Sequence, residues 1–327
     1  MPARLNMGCD RRAFLMGAGA LALSVAHHGN AESSSSPIPI IDGHIHLFDA
    51  SRPQGAPYQG PPEFTSHISL PADYVAQAAP LGIVGAVILE ASPWVEDNLW
   101  VLEVAQTNPM MVGVVGSLQP EKPEFAEYLE RYHKNPLYRG IRVLDAWRGP
   151  MGQLVTNPAF IGGLKLLAQA DLVLDTANPS MDLLNAVLRI SDQVPDLRVI
   201  LDHLPAMEPK PEEASAYAAV LTELHGRPNI YVKLSEILHR VNGSVAPDLA
   251  SHRDRLDHLF SIFGEDRVLF GSDYPNSVGT ATLSEIVALV KQYFASKPRS
   301  VAEKYFWRNS LRCYKWIKRA ANQPGPA

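Results

Sequence analysis

Eight short runs of β-branched and aliphatic residues, each followed by a helical pattern, constrain this chain more than any other feature. The runs cover 39–47, 84–90, 111–118, 139–144, 171–176, 198–203, 230–235 and 267–273, with starts 27 to 45 residues apart. Most are apolar over four to six consecutive positions, the pattern of parallel strands buried on both faces. The stretches 96–107, 123–134, 157–169, 182–193, 212–226, 248–263 and 281–295 read as helices, and Pro71, Pro123, Pro158 and Asp182 stand near first turns. Eight such β-α units predict an α/β fold of the closed (β/α)8 type, a TIM barrel in one domain over 38–316. An open doubly wound sheet would want a glycine-rich phosphate turn after the first strand, and none follows it. The first connection, 48–70, is rich in Pro and Gly and is expected to lie over the barrel mouth.

The chain around this pattern reads differently. Asp10-Arg11-Arg12-Ala13-Phe14-Leu15-Met16 followed by an apolar stretch resembles a twin-arginine (Tat) export signal, with Asp10 and Met16 departing from the usual Ser/Thr and Lys. The expected divisions are a signal peptide at 1–31, a Ser-rich linker at 32–37, the barrel at 38–316 and a C-terminal tail at 317–327. Cleavage after Ala31 would place the mature protein in the periplasm, or in the cytoplasm if the leader is silent. The whole chain has 29 Lys and Arg against 34 Asp and Glu, a net charge of −5. That balance argues against a nucleic-acid surface. No apolar run reaches the roughly 20 residues of a bilayer span, so stable membrane insertion is not expected. Two cysteines, Cys9 and Cys313, cannot build a disulfide framework.

The polar residues of interest fall at the C-terminal ends of the runs, where barrel enzymes carry their chemistry. The first strand holds Asp42, Gly43, His44, Ile45 and His46. Strict alternation places Asp42, His44 and His46 on one side and Ile41, Gly43 and Ile45 on the other. Both imidazoles are then able to turn onto one ion. The second strand ends in Glu90, the fourth holds Arg142, the sixth ends in Asp202-His203 and the eighth in Asp273. A carboxylate such as Asp273 ligates a metal or takes a proton from water. Arg142 needs an anionic partner, from the protein or from a substrate. Parity does not settle which way Lys233 points; facing inward, it would need an ion pair with a neighbouring strand. Tyr58, Trp94, Trp147 and Asn276 lie on mouth loops as candidate substrate contacts.

Taken in order, the segments DGHIHLFD, RGIRV, VILDHLP, YVKLS and FGEDRVLFGSDYP, with the run Asn309 to Tyr314, resemble the amidohydrolase superfamily. The nearer likeness is to its amidohydrolase-2 branch of lactonases, which act on sugar-acid lactones, 2-pyrone-4,6-dicarboxylate or 4-sulfomuconolactone. The resemblance covers 38–316. It implies metal ligation by His44, His46, His203 and Asp273, with Glu90 as an additional oxygen ligand. The superfamily's bridging lysine at the end of strand four has no counterpart, because that strand offers Arg142. One divalent cation is therefore expected, zinc first and manganese second, with metal-free catalysis as the alternative.

The function expected from these residues is hydrolysis of a small anionic or polyhydroxylated lactone. Asp273 would be the general base, His203 and Arg142 would assist, and Arg142, Trp94, Trp147, Tyr58 and Asn276 would contact substrate. A metal-dependent decarboxylase, a lactone isomerase and a non-catalytic periplasmic binding protein are the rival readings. Expected partners are the lactone and the Tat export machinery, with a homodimer left open.

Overall fold

The computed structural model describes residues 36–143, 149–176 and 178–325; the signal-peptide region, the linker up to residue 35, and Trp147 lie outside them. Eight parallel strands form one sheet in sequence order: β1 (Ile40–His46), β2 (Ile83–Leu89), β3 (Met111–Gly116), β4 (Tyr138–Arg142), β5 (Val173–Asp175), β6 (Arg198–Leu201), β7 (Ile230–Lys233) and β8 (Val268–Leu269). Beyond β8 the chain returns to β1. Gly43 N–H donates to the Phe270 carbonyl at 3.0 Å, Asp273 N–H to His44 at 2.9 Å and His46 N–H to Tyr274 at 2.7 Å. The sheet thus closes into the predicted barrel. Gly43 permits the closure, since a Cβ there would lie 2.7 Å from the Phe270 oxygen.

A principal helix follows each strand: α1 (Pro71–Ala78), α2 (Asp97–Gln106), α3 (Phe125–His133), α4 (Pro158–Gln169), α5 (Met181–Gln193), α6 (Ala214–His225), α7 (Ala250–Phe263) and α8 (Leu283–Phe294), with shorter helical turns between and after them. Side-chain caps set several starts. Asn157 accepts from Ala159 N–H and Ser180 from Leu183 N–H, and Thr282 with Glu285 forms a capping box. Pro71 and Pro158 open their helices, whereas α3 begins two residues after Pro123. No helix among the described residues is long and apolar enough to cross a membrane.

The core has two compartments. Ile45, Ile88, Ile141, Leu174, Val199 and Val232 pack outward against the helices. Ile41, Leu89, Val173, Ile200, Tyr231 and Leu269 fill the barrel, together with Cys313, Tyr314 and Trp316 from the C-terminal segment. This division corrects the parity expected for β1. Asp42 pairs with Ala86 and Ile45 with Ile88, so β1 carries one extra residue across that interval. Ile41 and Gly43 face the barrel interior, and Asp42 faces outward, accepting from Tyr74 of α1 at 2.7 Å. The bulge then brings His44 inward beside His46.

The expected tail is also part of the fold as far as it is described. Arg319 donates through Nη1 to the carbonyls of Ala105, Asn108 and Met111 at 2.8–2.9 Å. Gln323, 2% exposed, donates to Val84 and Pro109. Carbonyls at the N-terminal end of β2 and β3 thereby gain partners that a short loop would leave to water.

Candidate active site

Above the apolar filling, four strands in succession point one charged side chain inward: Arg142 from β4, Asp175 from β5, Asp202 just beyond β6 and Lys233 from β7. All four are buried. Lys233, whose direction parity left open, faces inward because Tyr231 does and Val232 does not. Its ammonium donates to both oxygens of Asp175 at 3.0 and 3.1 Å and lies 2.8 Å from Asp202 Oδ1. Arg142 donates through Nη2 to Asp202 Oδ2 at 3.0 Å and through Nε to the Thr176 carbonyl at 2.7 Å. Its anionic partner is thus supplied by the protein, and the layer sets two basic side chains against two aspartates, of which Asp175 is pushed up to about 8 by burial and the adjoining Asp202 charge.

On this layer rest the strand-end residues. His44 Nε2 and His46 Nε2 are 3.1 Å apart, and Asp273 Oδ1 lies 3.2 Å from the first and 3.1 Å from the second. His203 Nε2 is 3.9 Å from the same oxygen, and its Nδ1 meets Ser235 Oγ at 2.9 Å. Glu236 completes a second group with His203 and Asp273. Three of these residues hold left-handed backbone: His203 (φ 53°), Glu236 (φ 50°) and Asp273 (φ 58°). Non-glycine residues seldom adopt it, and here it turns each side chain from its strand end into the mouth. Asn276 donates to Asp273 Oδ1 at 3.1 Å, and Tyr58, from the connection over the mouth, hydrogen-bonds Asn276.

Burial pushes the pKa of all three histidines down, with the charge of Arg142 adding to it; His46 falls to about 3. The imidazoles are therefore neutral at pH 7. His46 Nδ1 lies 3.2 Å from the Leu89 carbonyl, which only accepts, so Nδ1 carries the proton and Nε2 presents a lone pair to the site. Burial raises Asp273 to about 7, against the opposing hydrogen bond from Glu236 and the charge of Arg142. Burial and the adjoining Asp273 charge raise Glu236 to about 9. Near neutrality Glu236 holds a proton and donates it to Asp273.

The three-atom face of His44, His46 and Asp273 fits a small divalent cation. Bonds of about 2.0 Å in a tetrahedron give ligand separations of about 3.3 Å, close to those present. Of the expected site residues, the structure gathers His44, His46, His203 and Asp273, sets Arg142 in the layer below them, and ties Asn276 and Tyr58 to Asp273. Glu90 accepts from Ser92 N–H and belongs to none of the three donor groups among the described residues. It lines a separate pocket with Arg52, Trp94 and Asp97, and Trp94 is 40% exposed. Glu236 went unnoticed in the sequence because strict alternation beyond Ser235 points it away from the site.

Gly271 lies directly beneath this constellation, where an added Cβ would come within 2.8 Å of His44 Cβ. Gly271→Ala is expected to displace His44 and cost about 1–3 kcal/mol, with loss of activity exceeding loss of fold. Thermal melts measured beside turnover check this; an alanine variant with full activity contradicts it.

The amidohydrolase family model matches residues 41–316, and the chain belongs to that family. It is a hydrolase of the amidohydrolase type. Among curated relatives it is 25% identical over 246 residues to an L-fucono-1,5-lactonase of Burkholderia ambifaria, covering 72% of this chain and 80% of that one. It is 26% identical over 248 residues to an L-fucono-1,5-lactonase of Burkholderia multivorans, covering 70% of this chain and 80% of the relative. Among solved structures, an amidohydrolase from Burkholderia multivorans with bound zinc superposes with a TM-score of 0.74 at 22% identity, over 85% of this chain and all of that one.

Proposed function

We propose that this enzyme opens the ring of a polyhydroxylated sugar-acid lactone by attack of water. The observation that carries this reading is the placement of Asp273 Oδ1 at the barrel mouth, 3.1–3.9 Å from the Nε2 atoms of His44, His46 and His203, where burial raises its carboxyl toward neutrality. The lactonase relatives support the substrate class. The charge arrangement favours a neutral polyol lactone over a diacid, because the guanidinium of Arg142 already faces Asp202 and the mouth carries Asp273 and Glu236.

Asp273 takes a proton from the attacking water as the oxygen bonds to the carbonyl carbon. The tetrahedral oxyanion is stabilised by imidazole N–H donors. On its collapse the ring C–O bond breaks, and Asp273 returns the proton to the departing ring oxygen, leaving a hydroxy acid. Glu236 and Asn276 hold the Asp273 carboxylate in place through their hydrogen bonds. A zinc ion, where bound, would be held by His44, His46 and Asp273 beside His203, and would polarise the carbonyl and lower the pKa of water.

Acid release across a panel of lactones, read with a pH indicator on purified protein, tests the reading. Fast turnover of sugar-acid lactones with little on dicarboxylate rings is expected; silence across the panel contradicts it. The pH dependence is a second check. In metal-free enzyme kcat/KM is expected to rise with pH through about 7 as Asp273 loses its proton. Added zinc should move that limb to lower pH, because a cation favours the carboxylate. A limb near the ordinary aspartate value of about 4 in metal-free enzyme contradicts the assignment.

The leader supports export by the Tat route. Cell fractionation should find a periplasmic protein beginning near Glu32; an uncleaved chain confined to the cytoplasm excludes it.

A further inference from the structure

We propose that Lys233 is a positioning residue that fixes the tautomer of His44, placing its proton on Nε2, so that His44 meets the site as a hydrogen-bond donor and becomes a metal ligand only when the lysine contact is broken. Lys233 Nζ lies 3.2 Å from His44 Nδ1. A lysine ammonium has three N–H donors and no acceptor. A second N–H facing it across that distance is excluded, so Nδ1 carries the lone pair and the single proton of the neutral ring is on Nε2. The rival acceptor for an Nδ1 proton, Asp202 Oδ2, is 3.5 Å away and already receives Arg142. The lysine cannot swing clear, since Asp175 and Asp202 hold it on the other side and its whole side chain is buried.

The consequence runs through the three-atom face above it. His44 Nε2–H points between His46 Nε2, 3.1 Å away, and Asp273 Oδ1, 3.2 Å away. Both are acceptors, the first because the Leu89 carbonyl takes the His46 Nδ1 proton. The two histidines of β1 are therefore opposite tautomers. His46 offers a lone pair and His44 offers a proton. The His44 N–H is shared between two acceptors that themselves lie 3.1 Å apart, His46 Nε2 and Asp273 Oδ1, and it is the imidazole donor nearest to the general base. A cation on this face needs a bare Nε2 on both rings. His44 then has to move its proton to Nδ1, turn that N–H toward Asp202 and give up the lysine. No proton need leave the protein, and Lys233 stays between Asp175 and Asp202. The ligand triangle has the right size for a divalent ion, and Lys233 sets what occupying it costs.

The use of the His44 N–H against a carbonyl oxygen rests on the lactonase reading. Neither measurement below involves a lactone, so the two readings fail separately. Nitrogen-15 NMR of histidine-labelled, metal-free, full-length protein reports each ring's tautomer, with the His44 and His46 signals assigned from single substitutions. The expected spectrum shows His44 protonated on Nε2 and His46 on Nδ1; protonation of His44 on Nδ1 overturns the proposal. Zinc titration by calorimetry gives the second reading. Lys233→Met, folded, is expected to bind zinc at least tenfold more tightly than wild type, and Lys233→Arg, which keeps a donor, to stay near the wild-type affinity. Equal affinity in wild type and a folded Lys233→Met overturns the proposal. Should Lys233→Met fail to fold, the wild-type spectrum decides alone.

Discussion

Asp273→Asn is expected to lower kcat by roughly 10²–10⁴-fold, the span associated with removal of a positioned general base. The side chain keeps its shape, and its amide oxygen still accepts from Asn276 and from a neighbouring imidazole N–H. What disappears is the ability to take a proton from water. The fold should not suffer. The folded pKa of Asp273 lies above its unfolded value, raised to about 7 mainly by burial. Its protonated form is the one that folding favours. The associated stability is fully present below the unfolded pKa and is lost as pH rises through about 7. At pH 8 the wild type carries the cost of a buried carboxylate that the variant lacks. The melting temperature of Asp273→Asn at pH 8 should equal or exceed that of wild type. A folded variant with wild-type kcat would remove Asp273 from the chemistry.

Asp42→Ala should have the largest effect on stability. Asp42 is fully buried. It accepts from Tyr74 Oη at 2.7 Å, Ser272 N–H at 2.9 Å and His44 N–H at 3.1 Å, joining β1 to α1 and to the segment after β8. Alanine strands three buried donors and empties a polar cavity. Each orphaned group costs about 1–3 kcal/mol, and partial rehydration limits the total to about 3–5 kcal/mol. Asp42→Asn keeps one acceptor oxygen and should lose less. Urea denaturation of the two variants distinguishes them. Equal losses would place the effect in the charge, and no loss in either would contradict the clamp.

The difference between Asp42 and its neighbours shows where sequence reading worked and where it stopped. The eight strands were legible because a parallel strand buried on both faces must be apolar throughout, and few other structures repeat that demand so regularly. His44, His46, His203 and Asp273 stood out because they are polar residues at the ends of such runs. The β1 bulge was not legible. It leaves no mark in residue type, and it turns Asp42 out of the site while His44 and His46 stay in it. Glu236 was hidden for a related reason, since its left-handed backbone breaks the alternation that would point it elsewhere. Lys233, Asp175 and Asp202 each look like an isolated charge in an apolar run. Their pairing depends on strand register around the barrel, which no single run contains. Arg319 and Gln323 resemble ordinary polar tail residues until the carbonyls they satisfy at the floor of β2 and β3 are in view.

The most direct test of the account is the fate of the water oxygen. Purified enzyme acting on a sugar-acid 1,5-lactone in H2¹⁸O, with Asp273→Asn as the control for spontaneous opening, should release acid with one ¹⁸O in the product carboxylate at a rate well above the control. Turnover that gives an unlabelled ring isomer, or acid released no faster than in the control, would contradict hydrolysis directed by Asp273.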